Sequence, residues 1–594
     1  MKYSDQLADW LVELGYTHCF FVAGGNIMHL LESCNRRFTC IPVVHEVAAG
    51  IAAEYFTEFE IKRKAFALVT AGPGLTNIVT AIAGAYLESH ELLVIGGQVK
   101  VSDLALGQVR QRGIQEVDGV GIVKPITVTS TLLTEVVDKQ RFAQIVESGS
   151  TGRKGPVFVE IPLDLQGRVV DPAALCKGFE LRKVSLPDIH QNVLDQIAGK
   201  LRTAERPVLL LGGGVSRPTA SELLNTLETL DIPLMTTWNG FDRIPSEHPL
   251  YFGRPNTWGQ RSSNILIQQS DLVLALGTRL GLQQTGFNWQ KFVPVGEVIQ
   301  VDCDPAELTK GHPRVALPVC GDANAVLRFV AGCRLGNYRG WVEFCRSVRQ
   351  AIPLVEPVNS TADGFISPYI FVQELSHLCS GKDVVIPCSS GGAYTVMMQT
   401  FEQKAGQRSI NTKGLASMGY GLGGAIGAAF AANGRRTILV EGDGGFMQNL
   451  QELGTVSTNH LNLKLFIFDN NGYSSIRMTQ KNYFDGHSVG CDAETGLGIP
   501  KWEHIFAAYG IPMISIGVGY QKDESFLRLF QSKGPAAFLV KIDPEQTYFP
   551  KISSRVGSDG AMESNPLHLM SPELPAEVAL QVFRYLPVSQ HGLM

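Results

Sequence analysis

Three stretches of this chain are written in one grammar, and that repetition constrains the fold more than any other feature of the sequence. Each sets short β-branched strands that end in Gly, Asp or Ser turns ahead of a helical pattern, as in FALVTAGPGLTNIVTAIAGAYLES (66–89), PVLLLGGG (207–214) and RTILVEGDGGFMQNLQEL (436–453). Strand, turn and helix in that order predict parallel sheets covered on both faces. One core rarely serves more than about 250–300 residues, so 594 residues require several domains. The expectation is an α/β chain of three doubly wound parallel-sheet domains, over residues 1–172, 190–345 and 367–545, with a tail over 546–594 that holds a short helix. Polar, Pro-containing stretches at 166–192 and 352–366 read as the linkers between them.

Composition removes several classes of function. A net charge of −5 with 18% charged residues leaves no polybasic surface for nucleic acid and no acidic tail. The 11 cysteines form no CxxC pair and no zinc-spaced cluster, which fits reduced thiols and a cytoplasmic protein. The opening MKYSDQLADWLVELGY reads as an amphipathic helix, not a signal peptide. GLASMGYGLGGAIGAAFAA (414–432) is long and uncharged, but it is small rather than oily and a new strand follows at once. It reads as a buried helix packed against a sheet, so no membrane partner is expected.

The chemistry gathers at Asp443, a lone carboxylate between glycines where an apolar strand stops. The next strand, KLFIFDNNGY, delivers Asn470. In a parallel βαβ unit both residues emerge at the carboxyl ends of neighbouring strands, where open α/β sheets bind ligands. A carboxylate oxygen, an amide oxygen and a backbone carbonyl are hard ligands suited to Mg²⁺, which completes its shell with phosphate and water. Gly442, Gly444 and Gly445 let backbone approach such a phosphate and aim amides at it. Gly-Asp-Gly followed, one helix and one strand later, by Asn-Asn resembles the signature of the thiamine diphosphate enzymes. The likeness spans nearly the whole chain and is nearest to the acetolactate synthase and pyruvate oxidase branch.

That resemblance implies a set of further residues. Asp443, Asn470 and the carbonyl of Gly472 would hold the metal that clamps the diphosphate. Glu46, in VVHEVAAGIAAEYF, would be the acid that shares a proton with the cofactor's pyrimidine, and its apolar setting favours that state. Gly72, Pro73 and Asn77 match the turn beside the pyrimidine, Gly391 and Ala393 the loop that meets it, and Met418 the apolar wedge that bends the cofactor. Gly25 falls near the reacting carbon, and Gln115 aligns with a residue that steers the bound intermediate. In this family the Glu-bearing domain of one subunit meets the metal-bearing domain of another, which implies a homodimer or homotetramer.

The central stretch resembles the FAD-binding domain of acetohydroxyacid synthases, with Arg153, Gly213, Thr237, Arg279, Asp302 and Asp322 on the flavin contacts. Both strand-end aspartates could bind a ribose or cap helices. Gly281 and Gln283 stand where those enzymes carry an acid and an Arg, and Thr479 where they carry a Trp that selects a larger acceptor. The family chemistry is decarboxylation of a 2-oxo acid, with pyruvate expected, and transfer of the resulting carbanion to an electrophile. These departures, with a tail (SNPLHLMSPELP) resembling those of surface-polysaccharide and branched-sugar carboligases, point to a ketone or aldehyde acceptor such as a keto sugar nucleotide. Acetolactate formation, a pyruvate oxidase-like flavoenzyme and a non-catalytic paralogue subunit are the alternative readings.

Overall fold

The computed structural model describes residues 1–59, 62–176, 186–556 and 562–587. Parts of the first expected linker and of the tail lie outside the described residues. Three all-parallel sheets carry the chain, as the repeated strand-turn-helix grammar predicts. The first has the spatial order Thr39–Pro42, Tyr16–Phe21, Lys64–Val69, Leu92–Gln98, Pro156–Pro162, Thr129–Leu132. The second runs Leu317–Cys320, Glu297–Asp302, Leu272–Leu276, Pro207–Leu211, Leu234–Thr236. The third runs Arg408–Ser409, Val384–Ile386, Thr437–Gly442, Leu463–Asp469, Ala536–Lys541, Met513–Ile516. The central strands are buried along almost their whole length, which is why they read as continuous apolar runs instead of alternating ones.

The Gly/Ala-rich segment is a helix only from Tyr420 to Ala431, and it is buried against the helix Glu46–Phe59 of the first domain. Its small residues serve that contact. A methyl on Gly427 would sit 2.1 Å from the carbonyl oxygen of Ala52, and one on Gly424 would sit 2.5 Å from the Tyr55 ring. Among the described residues no helix is long and apolar enough to cross a membrane. Gly427→Ala is therefore expected to cost about 1–3 kcal/mol, because backbone and not a pliable side chain must give way. A lowered melting temperature checks this, and an unchanged one would mean that the two helices part without penalty.

Arg217 joins all three domains. From the second domain its Nε pairs with Asp242 (2.6 Å), while Nη1 donates to the Glu58 carbonyl (3.0 Å) of the first and Nη2 to the Ser409 carbonyl (2.9 Å) of the third. Arg254, buried on Phe241, donates to the carbonyls of Met398 (2.7 Å) and Phe401 (2.8 Å). The tail forms two short antiparallel pairs and the helix Ala576–Val582. Its described residues pack onto the second domain, where Leu567, Met570, Val582 and Phe583 enter the core. All 11 cysteines are unpaired thiols.

Candidate active site

Each sheet ends in a cluster of the residues singled out above, because in a parallel sheet every carboxyl end opens on the same edge. On the third, the strand Thr437–Gly442 ends at Asp443 and the strand Leu463–Asp469 leads into Asn470. The Asp443 carboxylate is fully buried and organises the neighbouring turn. Its Oδ1 accepts from Gly444 N (2.6 Å), and its Oδ2 accepts from Asn470 N (3.1 Å) and Gly472 N (3.0 Å). Burial nonetheless pushes its pKa up to about 7, against the lowering effect of these amides. Gly472 has to be glycine: its φ is +103°, and a methyl there would lie 2.5 Å from the Cys491 carbonyl oxygen.

The Asn470 amide can stand in two orientations. In one, its nitrogen donates to Ser474 Oγ (3.0 Å) and Tyr548 OH (3.2 Å), and its oxygen faces Asp443 Oδ1 and the Gly472 carbonyl, 3.1 Å from each. In the other, the nitrogen donates to those two oxygens and the hydroxyls donate to the amide oxygen. The first orientation gathers three oxygens with no proton among them, which is a donor set that a hard divalent cation could hold together. The helical run after Asp443 is not one helix as the sequence suggests. It is a short helix to Phe446, a 3₁₀ stretch with a kink at Asn449, and a second helix, Leu453–Thr458.

Gly391 begins the helix Gly391–Thr400 with a φ of +74°, and Ala393 is buried in its first turn. Met418, part-exposed, precedes the helix Tyr420–Ala431, and its sulfur accepts from Gln448 Nε2 at 3.7 Å. A methyl on Gly444 would meet the Tyr473 ring at 2.4 Å and one on Gly445 the Glu441 carboxylate at 3.0 Å, while one on Gly442 would meet nothing within 4 Å.

On the first sheet, Glu46 opens the helix Glu46–Phe59 and is 7% exposed. Its Oε2 accepts from Asn77 Nδ2 at 2.9 Å. Gly72 holds a left-handed backbone, φ +66°, immediately ahead of Pro73 at the first position of the helix Pro73–Glu88. A methyl on Gly72 would lie 2.3 Å from the Gln115 carbonyl oxygen, so the turn and the Gln115 loop are in direct contact. Gly25 begins a 3₁₀ turn beyond the strand Tyr16–Phe21 and is exposed. The Glu46 approach is clamped to the third domain, since Val44 N (3.1 Å) and His45 N (2.9 Å) donate to Glu452 Oε1. Among the described residues no hydrogen bond or ion pair within one chain joins Glu46 to Asp443, Asn470 or Gly472.

The remaining set meets where the three domains join. Arg153, Gly213, Thr237, Arg279, Asp302 and Asp322 all line one cavity of about 920 Å³, the size of a small-molecule site. Arg153 Nη1 lies 3.6 Å from Asp302 Oδ1, and burial raises the Asp302 carboxyl. Asp322 caps the helix Ala323–Ala331 by accepting from Asn324 N at 2.9 Å. Gln283 and Gly281 line this same cavity, whereas Thr479 lies exposed on the helix Ser474–Tyr483.

Three residues at the Asp443 cluster escaped the reading of the sequence. Ser474 stands four positions past Asn470 and was within reach of a motif argument. Arg477, buried, donates to the Asn470 carbonyl (2.9 Å) and the Pro544 carbonyl (2.7 Å), and nothing in its local pattern marks it. Tyr548 arrives from beyond the last strand of the sheet, and its ring packs so closely on Gly392 that a methyl there would lie 2.1 Å from it.

Comparison with known proteins agrees with this architecture. Family models described as the N-terminal TPP binding domain, the central domain and the C-terminal TPP binding domain of thiamine pyrophosphate enzymes match residues 1–122, 194–330 and 390–540. Acetolactate synthase isozyme 1 large subunit of Escherichia coli (strain K12) is 29% identical over 536 residues, covering 89% of this chain and 92% of the relative. A probable acetolactate synthase large subunit of Methanocaldococcus jannaschii is 30% identical over 521 residues, 84% and 85% of the two chains. The acetolactate synthase large subunit of Corynebacterium glutamicum is 30% identical over 491 residues, 80% and 76%. With three parallel-sheet domains matched in order and relatives aligned along most of its length, the chain belongs to the thiamine pyrophosphate enzymes and is acetolactate synthase-like.

Proposed function

We propose that the protein is a thiamine diphosphate- and Mg²⁺-dependent carboligase that decarboxylates a 2-oxo acid, pyruvate, and transfers the acyl unit to a ketone or aldehyde. The observation that carries this reading is the convergence of Asp443 Oδ1, the Asn470 amide oxygen and the Gly472 carbonyl at two adjacent strand ends. These three oxygens would hold Mg²⁺ and, through it, a diphosphate beside Gly442, Gly444 and Gly445. When bound, thiamine diphosphate supplies the nucleophilic carbon and the electron sink for decarboxylation. Glu46, with Oε2 engaged by Asn77, has Oε1 left to exchange a proton with the pyrimidine ring. Gly72, Pro73, Gly391, Ala393 and Met418 would line the pyrimidine, with Gly25 and Gln115 toward the substrate.

Among the described residues no hydrogen bond or ion pair joins Glu46 to the Asp443 cluster of its own chain, and the family resemblance puts the two on different subunits, so a homodimer or homotetramer is part of this reading. Tyr548 and Ser474 take the two amide protons of Asn470 whenever its oxygen faces a cation. Tyr548→Phe is therefore expected to weaken Mn²⁺ binding, read by electron paramagnetic resonance, roughly ten- to a hundredfold. Unaltered Mn²⁺ affinity would remove Tyr548 from the cation site.

FAD is the proposed occupant of the cavity. Six positions that resemble flavin contacts line it, and the Gly212–Gly214 turn ahead of the helix Arg217–Glu228 suits a diphosphate. The acceptor is argued from Thr479 and Gln283, whose side chains differ from those that favour a second small 2-oxo acid, and a keto sugar nucleotide is the class proposed. The acetolactate synthase relatives favour a second reading, condensation of two pyruvates. Incubation with thiamine diphosphate, Mg²⁺ and pyruvate, with and without keto sugar nucleotides, separates these by mass spectrometry. A product of pyruvate and sugar less CO₂ supports the first reading, acetolactate alone the second, and CO₂ loss with no condensed product would overturn both.

A further inference from the structure

Lys413 lines the three-domain cavity, and its surroundings are unusual for an ammonium. Its Nζ lies 5.1 Å from the ring centre of Trp238, 5.2 Å from that of Tyr394 and 5.5 Å from that of Trp258. Trp238 and Tyr394 meet edge to face at 5.2 Å, so the cage has fixed walls. The backbone N–H of Lys413 donates to Glu88 Oε1 at 2.5 Å, but among the described residues no acceptor takes a proton from the ammonium itself. Ring faces attract a cation without satisfying its directional N–H donors. Burial accordingly pushes this group down to about 8, with Glu88 opposing.

The Lys413 ammonium faces the cavity with its N–H donors untaken by the described residues, so a ligand there that offers an acceptor can receive them in a charge-assisted hydrogen bond. It lines the same cavity as Thr237, the sequence neighbour of Trp238, and as Arg279, whose Nη2 would lie 3.2 Å from a methyl on Gly414. The flat walls suit a planar ring that offers one oxygen or nitrogen at its edge. They suit a phosphate poorly, because its oxygens would meet ring faces that donate nothing, whereas backbone amides and guanidinium groups are available elsewhere in the cavity.

We propose that Lys413, held by Trp238, Trp258 and Tyr394, donates to a ring acceptor of the flavin in this cavity and so contributes to binding the ring rather than the nucleotide half of FAD. This rests on the reading of the cavity as an FAD site, and ADP, which shares the nucleotide half and lacks the ring, separates the two. FAD and ADP would each be titrated into the full-length protein loaded with thiamine diphosphate and Mg²⁺, for wild type, Lys413→Met and Lys413→Arg. The expected result is FAD affinity lowered roughly ten- to a hundredfold in Lys413→Met, ADP affinity unchanged, and FAD affinity largely retained in Lys413→Arg. The flavin absorption band should also differ between wild type and Lys413→Met. Equal weakening of FAD and ADP, or FAD binding indifferent to the substitution, would overturn the assignment while leaving the cavity an FAD site. Failure of wild type to bind FAD would overturn both readings.

Discussion

Glu46→Gln should retain thiamine diphosphate and lose turnover, with CO₂ release from pyruvate falling by roughly a hundred- to ten-thousandfold, the range that a positioned acid–base group contributes. The substitution is nearly isosteric. A Gln carbonyl can still accept from Asn77 Nδ2, as Glu46 Oε2 does at 2.9 Å, so the start of the helix Glu46–Phe59 keeps its local hydrogen bond. The amide cannot take up and release the proton that the carboxyl exchanges. Cofactor affinity and melting temperature therefore act as controls. Loss of CO₂ release with both controls unchanged supports Glu46 as the group that exchanges a proton with the pyrimidine. Wild-type turnover in Glu46→Gln would reduce Glu46 to a helix-terminal residue, and the proposed mechanism would fail with it.

Asp443→Asn is expected to fold and to lose Mg²⁺-dependent retention of thiamine diphosphate by more than about a hundredfold, since a ligand should matter at least as much as the groups behind it. The choice of Asn separates two roles of the same side chain. As an acceptor, Asp443 Oδ2 orders the turn through the amides of Asn470 and Gly472, and a carboxamide oxygen can take over those two contacts, although its NH2 then replaces the Oδ1 that accepts from Gly444 N. As a charge, it is the one carboxylate among the three converging oxygens, so of the protein's own ligands it alone brings a negative charge to offset that of a desolvated cation. Calorimetric titration with Mg²⁺ and the cofactor measures the loss. Undiminished binding by Asp443→Asn would show that the oxygens gather for the sake of the turn alone.

The α/β class and the parallel sheets were legible in the sequence, because buried parallel strands are continuous apolar runs and turn residues punctuate them. Less legible were the short edge strands Leu234–Thr236 and Leu317–Cys320, which carry too few residues for any periodicity. The helical pattern after Asp443 gave no sign of the kink at Asn449, since local propensity does not register the packing that bends it.

By itself, the sequence determined the residues that are local to a strand end: Asp443 with its glycines, Asn470 with Gly472, and Glu46 at the opening of a helix. Strand-end residues are spaced by the lengths of the elements between them, and those lengths are written in the chain. Only the tertiary structure decided which distant segments meet. It brought Tyr548 onto Asn470, Arg217 across three domains, and Lys413 into a cage whose rings come from three separate stretches. Contacts of that kind depend on how whole sheets and helices pack, as the glycines facing Ala52 and Tyr55 show, and packing leaves no period or motif in a linear sequence.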